Sequence, residues 1–554
     1  MTKTMEKNQF LNAVYNNGKG YTENGALTNL TCGSVLADEF GKAANYRGRT
    51  IDEVFLDQEK LWNEDAEKAL RFPFYLRMIT RKTKVNENNI TDTVQKGQGA
   101  RDESFKRLLW IAVNHPDSFY KNIWLLPLVG SWKDVWTLLV YDETFGVHVL
   151  KEDVMFELIK QGMLCKAHVD LIKKFMPRIK TNSKCKTDRA KLLNKFAKDF
   201  ANYNKMSYEE YNHLKTSGTA HDFQKKICAK KFDELEWSHI PGKALNLIVN
   251  GDFLKNHNLE KNYTEWLLKQ PTAKFTGYVY ELGRQAMGDY ISYNKENNLP
   301  LYKKITINKQ FDELIRKAKE DGKITGNVWC ALDTSGSMQC QIVPNVRAID
   351  ICVSLGIFFS TLNTGAFHKN VIMFDSKSRV KKLEGDFTDM VSQIFNDGVA
   401  WGSTNFQSVV DEIVRIRKKN PNIPLEEYPS SLIVVSDMQF NPAPTSWPRK
   451  ELTEESTQTN YEAAKEKLYK VFPKEWVDSF KFIWWDCASR AKTDFPATLD
   501  DGGCYFISGF DGSIISMLCG EEVEAKEAIE KKPISMEEVI NNALNQEILN
   551  YIKL

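Results

Sequence analysis

The sequence lacks the patterns of membrane-spanning, exported and zinc-binding proteins. No apolar run reaches eighteen residues, so no bilayer-crossing helix is predicted. The first residues do not contain the apolar core of a secretory signal, and we therefore expect no export. The ten cysteines form no CxxC pair and the eight histidines no HExxH spacing, which argues against a disulfide framework and a zinc site. These absences favour a reducing compartment, and we expect a cytoplasmic protein.

Signatures of two common enzyme classes are also missing. The chain has no GxxxxGK[ST] loop and no GxSxG elbow, so it lacks the marks of a P-loop NTPase or an α/β-hydrolase. The net charge is only +2, and any nucleic-acid binding must come from a local basic patch. A chain of 554 residues is too long for one ordinary hydrophobic core, which predicts two or more domains.

An apolar run at 328–332 ends in a polar loop that carries oxygen atoms at alternate positions. Asp333 supplies a carboxylate, and Ser335 and Ser337 supply hydroxyls. Oxygen-only donors of this kind suit a hard divalent cation such as Mg²⁺. From these residues alone, an ordinary serine-rich turn after a strand is an equally good interpretation.

Two later segments add donors of the same kind. Thr404 precedes an apolar helical run at 406–414, and a second apolar strand at 431–436 is followed by Asp437. Ligands of open α/β sheets bind at the carboxyl ends of the strands. Two strand-end aspartates with a threonine between them therefore predict one ion site at the carboxyl edge of a parallel sheet.

The order and spacing of these five residues resemble the von Willebrand factor A domain and its metal-ion-dependent adhesion site. The resemblance covers roughly the last two-fifths of the chain, and every position holds the expected residue type. It implies carboxylate ligands from Asp333 and Asp437, directly or through water, and hydroxyl ligands from Ser335, Ser337 and Thr404. It also implies Mg²⁺, or another divalent cation such as Mn²⁺ or Ca²⁺, with a sixth position left for water or for an acidic group of a protein partner.

Hydrophobic periodicity predicts two kinds of structure, an α-helical half and an α/β half. From about 35 to 320, apolar residues recur at helical spacing between short turns, which predicts helix pairs of a HEAT-like repeat; an irregular helical bundle is the alternative. From 328 onwards, short strands alternate with helices, which predicts a doubly wound, mostly parallel sheet. The predicted parts are an N-terminal arm at 1–34, a helical-repeat domain at 35–322, an A domain at 323–533 and a C-terminal helix at 534–554.

Two local features complete this prediction. Ser131 followed three residues later by Asp134 predicts a capped helix start. The segment 441–460 is rich in Pro and Thr and directly follows the second strand-end aspartate, so it is either a lid or contact loop beside the ion or a plain surface loop.

Positive charge is concentrated between residues 173 and 198, where Asp188 is the only acidic residue. Basic side chains displace counterions from phosphates, so the patch predicts sequence-independent nucleic-acid binding, although a solvated lysine-rich helix face is the alternative. Four aromatic residues follow it and either stack on bases or fill the core: Tyr203, Tyr208, Tyr211 and Trp237. The candidate nucleic-acid ligands are Lys173, Lys174, Arg178, Lys180, Lys184, Lys186, Arg189, Lys191 and Lys195, with Lys198 at the end of the patch.

A helical-repeat domain followed by an A domain resembles the Ro autoantigen ribonucleoproteins, in which a TROVE module precedes the A domain. The resemblance rests on segments 97–103 (GQGARDE), 126–134 (LPLVGSWKD), 175–178 (FMPR), 227–237 and 240–241. The same segments are even more similar to a less characterised group of plant, microbial and viral proteins with this two-part layout. The resemblance implies a ring of helices closed by the A domain, with structured non-coding RNA on its outer surface or single-stranded RNA ends in its basic hole. It implies no membrane partner.

The resulting hypothesis is a non-catalytic RNA-binding protein. The alternative is a metal-dependent protein-interaction or assembly module, which includes a structural component of a larger particle. An enzyme ranks last because metal-assisted hydrolysis needs a positioned base or a second metal. His368 precedes a predicted strand and so lies at the wrong edge, whereas Asp486 follows one and is a single candidate at the correct edge.

Overall fold

The computed structural model describes residues 18–45, 49–79, 81–85, 90–217, 222–275, 277–287, 299–320, 327–343, 345–396, 399, 401–443, 458–488, 495–510 and 535–554. No helix within these ranges is both long enough and apolar enough to cross a bilayer. The chain forms two compact units. We call the first, residues 1–47 and 241–541, the sheet unit, and the second, residues 48–240 and 542–554, the helical unit.

Helices make up most of the described chain. In chain order they are α1 (Val35–Lys42), α2 (Ile51–Glu64), α3 (Ala66–Arg77), α4 (Arg101–Asn114), α5 (Pro116–Asn122), α6 (Leu126–Val129), α7 (Trp132–Thr144), α8 (Glu152–Leu164), α9 (Val169–Phe175), α10 (Asp188–Tyr203), α11 (Tyr208–Thr216), α12 (Asp222–Cys228), α13 (Gly242–Asn250), α14 (Phe253–Asn256), α15 (Glu260–Leu268), α16 (Val279–Met287), α17 (Leu301–Glu320), α18 (Ala348–Leu362), α19 (Phe387–Asn396), α20 (Gln407–Lys419), α21 (Asn460–Tyr469), α22 (Lys474–Ser479) and α23 (Met536–Leu544).

The strands are concentrated in the C-terminal half. They are β1 (Lys19–Tyr21), β2 (Leu27–Asn29), β3 (Arg81–Val85), β4 (Ile90–Gln95), β5 (Val328–Asp333), β6 (Gln341–Val343), β7 (Val346–Arg347), β8 (Asn370–Phe374), β9 (Ser378–Lys382), β10 (Ser431–Ser436), β11 (Lys481–Asp486) and β12 (Cys504–Ser508). Six of them form one sheet in the order β12–β11–β10–β5–β8–β9, and only the edge strand β9 runs antiparallel to its neighbour. This confirms the predicted mostly parallel sheet.

The core of the sheet follows from its apolar strands. Every residue of β5 and β10 is buried, as expected for parallel strands covered on both faces. Helix α18 packs against β5 and is buried along nearly its whole length. Its close approach to α16 requires a glycine at 283, because a Cβ there would lie 1.8 Å from the Ser354 hydroxyl oxygen.

Helices of the helical unit pack on helices that are next to them or a few elements away in the chain, as the periodicity predicts. Neighbouring contacts join α2 to α4, α3 to α4, α6 to α7, and α7 to α10. The predicted cap at the start of α7 is confirmed, because Asp134 accepts a hydrogen bond from the Ser131 backbone N–H at 2.8 Å. The antiparallel pairing of β3 with β4 was not predicted, although two segments with Thr and Val that flank an Asn-rich stretch of sequence are a hairpin signal. The HEAT-like repeat geometry itself stays a prediction.

The compact units do not follow the predicted domain boundaries. Helices from 241 to 320, predicted within the helical-repeat domain, belong to the sheet unit. Their apolar faces are buried against helices of the sheet, as in the stacked rings of Phe311 and Phe387, whose centroids lie 4.2 Å apart. Residues 18–34 of the predicted arm also belong to this unit, whereas residues 1–17 lie outside the described chain.

The predicted C-terminal helix is shorter than expected. Helix α23 ends at Leu544, and a 3₁₀ turn follows at Glu547–Tyr551. Residues 542–554 belong to the helical unit, where the Lys553 backbone N–H donates to Asn122 at 2.9 Å. The helix predicted from about 511 and most of the 441–460 segment lie outside the described residues.

Candidate cation site and basic surface

Four neighbouring strands of the sheet end in aspartate. Asp333 closes β5 and Asp486 closes β11, while Asp375 and Asp437 directly follow β8 and β10. Because these strands are parallel neighbours, the four carboxylates lie along one edge of the sheet. This is the edge at which the sequence predicts a cation.

Two of these carboxylates are neutralised by basic side chains of the protein. Arg379 lies 3.4 Å from Asp375, and the Lys42 ammonium lies 2.9 Å from Asp486 with both side chains buried. Asp486, the candidate base for hydrolysis that the sequence places at this edge, is therefore held in an ion pair with Lys42 of the N-terminal segment. His368 lies near the amino end of β8, at the opposite edge of the sheet from the four carboxylates, as the sequence predicts.

Asp333 differs from these two because its hydrogen bonds come from neutral donors. Its carboxylate accepts from the Ser335 backbone N–H at 2.9 Å and from the Ser436 hydroxyl at 2.5 Å. No Lys, Arg or His of the described residues forms an ion pair with it, and it is fully buried. Burial and then the charge of nearby Asp437 raise the pKa of Asp333 to about 7. A buried carboxylate beside a second one is the electrostatic setting that a bound cation relieves.

The three predicted hydroxyl donors lie in loops at the same edge. The hydroxyl oxygens of Ser335 and Ser337 are 3.1 Å apart. The loop containing them is joined to the segment before Thr404 by a hydrogen bond from the Gly336 N–H to the Gly402 carbonyl at 3.0 Å. The Thr404 carbonyl in turn accepts from Asn441 N–H at 2.8 Å, just beyond Asp437. The fold thus brings the loops of all five predicted ligands together.

The donor set fits a hard cation better than a zinc ion. It consists of two carboxylates and three hydroxyls, and oxygen donors of this kind suit Mg²⁺ that keeps some of its waters. Across the ranges that the structure describes, no group of three or more His, Cys, Asp or Glu side chains is placed to hold a metal. All nine described cysteines are free thiols, and six of them are buried, as the sequence predicts.

The raised pKa of Asp333 predicts how pH changes stability and cation binding. A carboxyl whose folded pKa is raised contributes stability that is present below its unfolded pKa, near 4, and is lost as pH rises through about 7. The cation-free protein is therefore expected to lose thermal stability between about pH 5 and about pH 8. A Mg²⁺ ion held by the ionised carboxylate would compete with this proton, so a Mg²⁺ affinity that rises about tenfold from about pH 6 to about pH 8, with release of a proton, is the expected result.

This pH dependence is measurable by thermal unfolding and by calorimetric Mg²⁺ titration in buffers of different ionisation enthalpy. An Asp333→Asn protein serves as the control, since it lacks the titrating group. A wild-type stability curve that is flat over this range, or that parallels the variant, would contradict the assignment of the shift to Asp333.

An N-terminal hairpin lies against the loops of this site. This contact was not predicted from the sequence. The Thr22 hydroxyl donates to the Phe440 carbonyl at 2.7 Å, and the Asn24 amide nitrogen lies 3.5 Å from the Thr404 hydroxyl oxygen. The Asn24–Gly25 pair between two short strands is a hairpin signal that could have been read from the sequence. The loops against which the hairpin docks are about 400 residues away in the chain, and no local sequence pattern indicates this contact.

The predicted basic surface lies on α9, α10 and the chain between them, within the helical unit. Lys173 and Lys174 lie in the last turn of α9, Lys184 closes a 3₁₀ turn at Asn182–Lys184, and Arg189 lies in the first turn of α10. The exposed members of the predicted set are Lys174, Arg178, Lys180, Lys184, Lys186, Arg189, Lys191 and Lys195, while Lys173 is half-buried.

Two buried or half-buried amides hold the main chain of this surface in place. Asn194 on α10 accepts from the Lys180 N–H at 2.8 Å and donates to the Lys180 carbonyl at 3.1 Å. Asn212 on α11 forms the same pair of bonds with Ile179, at 3.0 and 3.1 Å. Each side-chain amide bonds both the N–H and the carbonyl of one loop residue, as a neighbouring β-strand would. These bonds fix the path of the loop's main chain. The basic side chains therefore project from an ordered backbone.

Only part of the positive charge is available to a ligand. Lys191 pairs with Asp188 at 2.8 Å, and Lys195 pairs with Glu143 and Glu152 at 3.0 and 3.1 Å. No ion pair joins Lys180, Lys184 or Lys186 to an acidic side chain in the described parts of the chain. The unpaired charge is therefore concentrated on the loop before α10.

The four aromatic residues after the basic segment have different surroundings. Tyr211 and Trp237 are buried, and the Tyr211 hydroxyl donates to the Pro177 carbonyl at 2.8 Å, so these two belong to the core. Tyr203 and Tyr208 are about 40% exposed. The Lys198 ammonium lies 5.9 Å from the Tyr208 ring centroid. Tyr208 thus combines an exposed ring with a neighbouring positive charge.

The family model and the protein sequence to which this chain is similar are both described without a function. Residues 328–550 match a family model described as a domain of unknown function, DUF7788, which covers less than half of the chain. Over 537 residues the chain is 22% identical to "Uncharacterized protein L728" of Acanthamoeba polyphaga mimivirus, covering 91% of this chain and 85% of that protein. This similarity extends through both compact units.

A likeness to a solved structure is weaker. The crystal structure of the Deinococcus radiodurans RO (RSR) protein aligns with 87% of this chain and 99% of its own, at 11% identity and a TM-score of 0.37. A TM-score of that size carries no argument about this chain. The arrangement seen directly, helices in the N-terminal part and a mixed, mostly parallel sheet in the C-terminal part, is compatible with the predicted two-part layout.

Proposed function

We propose that this protein is a non-catalytic RNA-binding protein that holds RNA phosphates on the surface around Lys180, Lys184 and Lys186. The observation that supports this most is an ordered loop whose basic side chains have no acidic partner among the described residues. A lysine that has no acidic partner in the protein gains a favourable contact with an RNA phosphate. It breaks no ion pair of the protein when the RNA binds.

Single-stranded RNA is the form that this surface suits best. Lysines that contact phosphates recognise the backbone, and an exposed aromatic ring offers a face on which a base stacks. Tyr208 opens α11 beside Lys198, one helix beyond the basic loop. The proposal therefore assigns phosphates to the lysines and a base to Tyr208.

The experiment compares two pairs of lysines on the same surface. Lys184→Gln/Lys186→Gln removes two unpaired charges, and each lost phosphate contact should weaken RNA binding roughly fourfold at about 150 mM salt. The double variant is thus expected to bind a labelled oligouridine of about 20 nucleotides roughly 15-fold more weakly, with a salt dependence flatter by about 1.4 in log–log slope. Fluorescence anisotropy between about 50 and 200 mM salt measures both quantities.

Lys191→Gln/Lys195→Gln is the matched control because it removes the same formal charge from lysines already paired with acids. We expect it to change affinity less than about threefold. Equal effects of the two pairs would show that only the net charge of the region matters. Unchanged binding in the Lys184/Lys186 variant would refute the proposed surface.

A second function is supported by the donor set of the sheet unit. Asp333, Asp437 and the three hydroxyls would hold a Mg²⁺ ion, or another hard divalent cation, and an acidic group of a protein partner would complete its coordination. When bound, the cation supplies a positive charge that bridges two carboxylate-bearing surfaces. Release of a bound partner by EDTA, and its absence from Asp333→Asn protein, tests this interaction; retention under both conditions would refute metal bridging.

A further inference from the structure

The turn of the N-terminal hairpin is bonded to the two loops that carry the proposed cation ligands. The Glu23 N–H donates to the Gln439 side chain at 2.7 Å, two residues beyond Asp437. Asn24 donates to the Gln439 carbonyl and lies within hydrogen-bonding distance of the Thr404 hydroxyl. One turn therefore contacts both the segment after β10 and a proposed ligand itself.

The backbone of the turn is held in place by hydrogen bonds within the turn. The Thr22 hydroxyl accepts from the Ala26 N–H at 3.0 Å, and the Gly25 N–H donates to the Thr22 carbonyl at 2.9 Å. Gly25 has φ +85°, a left-handed conformation that favours glycine. Thr22 and Ala26 are both buried. The turn thus presents Asn24 from a fixed backbone.

Four of the five proposed ligands are buried, and Ser337 is half-buried. Thr404 is 1% exposed, Asp437 2% and Asp333 fully buried. A carboxylate of a folded partner cannot reach a cation among these side chains while they are covered. Hydrogen bonds from Thr22, Glu23 and Asn24 hold the turn against these loops.

We propose that the Thr22–Gly25 turn is part of the cation site, with Asn24 as a positioning residue for Thr404 and the turn as a cover that an acidic partner must displace. The Asn24 amide uses one N–H for the Gln439 carbonyl and directs the other at the Thr404 hydroxyl oxygen. That oxygen keeps a second lone pair for a cation. This inference rests on the proposed cation site and adds the element that controls access to it.

The test uses the full chain loaded with Tb³⁺, a luminescent substitute for a hard cation. Thr22→Val/Asn24→Ala removes three hydrogen bonds from the turn to the site loops, and also the bond that the Thr22 hydroxyl accepts from the Ala26 N–H within the turn. We expect Tb³⁺ to be released into excess EDTA about tenfold faster, and an oligo-aspartate peptide to bind the Mg²⁺-loaded variant about tenfold more tightly. Asn24→Ala alone leaves the turn intact and should shift both quantities in the same direction by less.

Thr28→Val is the matched control, because Thr28 lies on the same hairpin and its hydroxyl donates to the Phe495 carbonyl at 2.9 Å, away from the cation loops. It should change both quantities less than about twofold. A further readout needs no cation: deuterium uptake at 401–406 and 436–441 should rise in the double variant and stay unchanged in Thr28→Val.

The outcomes separate the two proposals. Wild-type protein that does not bind Tb³⁺ or Mg²⁺ would refute the cation site and the cover with it. Wild-type protein that binds the ion while release, peptide binding and deuterium uptake are the same in wild type and double variant would refute the cover alone.

Discussion

Asp333→Asn is expected to weaken Mg²⁺ binding at least roughly 100-fold. Asp333 is fully buried, carries hydrogen bonds from neutral donors and lies close enough to Asp437 for their charges to interact. Two unit charges about 4 Å apart gain about 4 kcal/mol at an effective dielectric constant of about 20, so loss of one carboxylate removes a large share of the attraction. Titration calorimetry at about pH 8, where the carboxylate is ionised, measures the change.

Asp375→Asn provides the matched comparison, because Asp375 lies at the same edge of the sheet but pairs with Arg379 at 3.4 Å. We expect it to change Mg²⁺ affinity less than about threefold. The cation-free Asp333→Asn protein should be at least as stable as wild type at about pH 8, since the substitution removes a buried charge. Equal losses of affinity in the two variants would show that the cation is held by the general negative potential of the edge.

Lys42→Met is expected to destabilise the sheet unit by about 3–5 kcal/mol, because it leaves the Asp486 charge buried without its cation. The Lys42 ammonium lies 2.9 Å from Asp486, and the two side chains are 6% and 9% exposed. Neighbouring Asn45 donates to the Asp486 carbonyl and accepts from the Gly509 N–H, so the N-terminal segment is fastened to two strand ends. Thermal unfolding of the full chain should show a lower transition by about 10 °C.

Two variants show whether the loss comes from the stranded charge. Lys42→Met/Asp486→Asn removes both charges and should recover most of the stability, because a neutral amide is far less costly to bury. Lys19→Met breaks a pair with Glu462 that is 4.0 Å long and exposed, and it should change stability by less than about 0.5 kcal/mol. If Lys42→Met behaved like Lys19→Met, the buried pair would have no structural importance.

That the five proposed cation ligands lie at one edge of the sheet could be predicted, because each is marked in its own short segment. Asp333 and Asp437 directly end or follow apolar strands, and Thr404 precedes an apolar helical run. Parallel strands necessarily align their carboxyl ends, so the strand pattern alone brought these residues to one edge. Which carboxylate is free for a cation could not be predicted in this way, since Lys42 reaches Asp486 from 444 residues away in the chain.

The basic surface likewise has features that the sequence indicates and others that only the packing of helices reveals. Its residues are contiguous and easily recognised, but the sequence indicates one opposing acid, Asp188, where the structure adds Glu143 and Glu152. Those two acids approach Lys195 because α7 and α8 pack beside α10. The lysines that remain unpaired, and the amide bonds of Asn194 that fix their loop, follow from packing between helices.

The sequence by itself determined the helical and α/β halves, the mostly parallel sheet, the five oxygen donors and the positions of the basic residues. Each of these depends on periodicity or spacing within a few tens of residues, where local chain geometry dictates the outcome. Only the tertiary structure decided where the compact units divide, which charges are neutralised and that the Thr22–Gly25 turn lies against the loops of the proposed cation ligands. These features arise from contacts between segments hundreds of residues apart, and such contacts depend on how whole surfaces fit together, which no local pattern records.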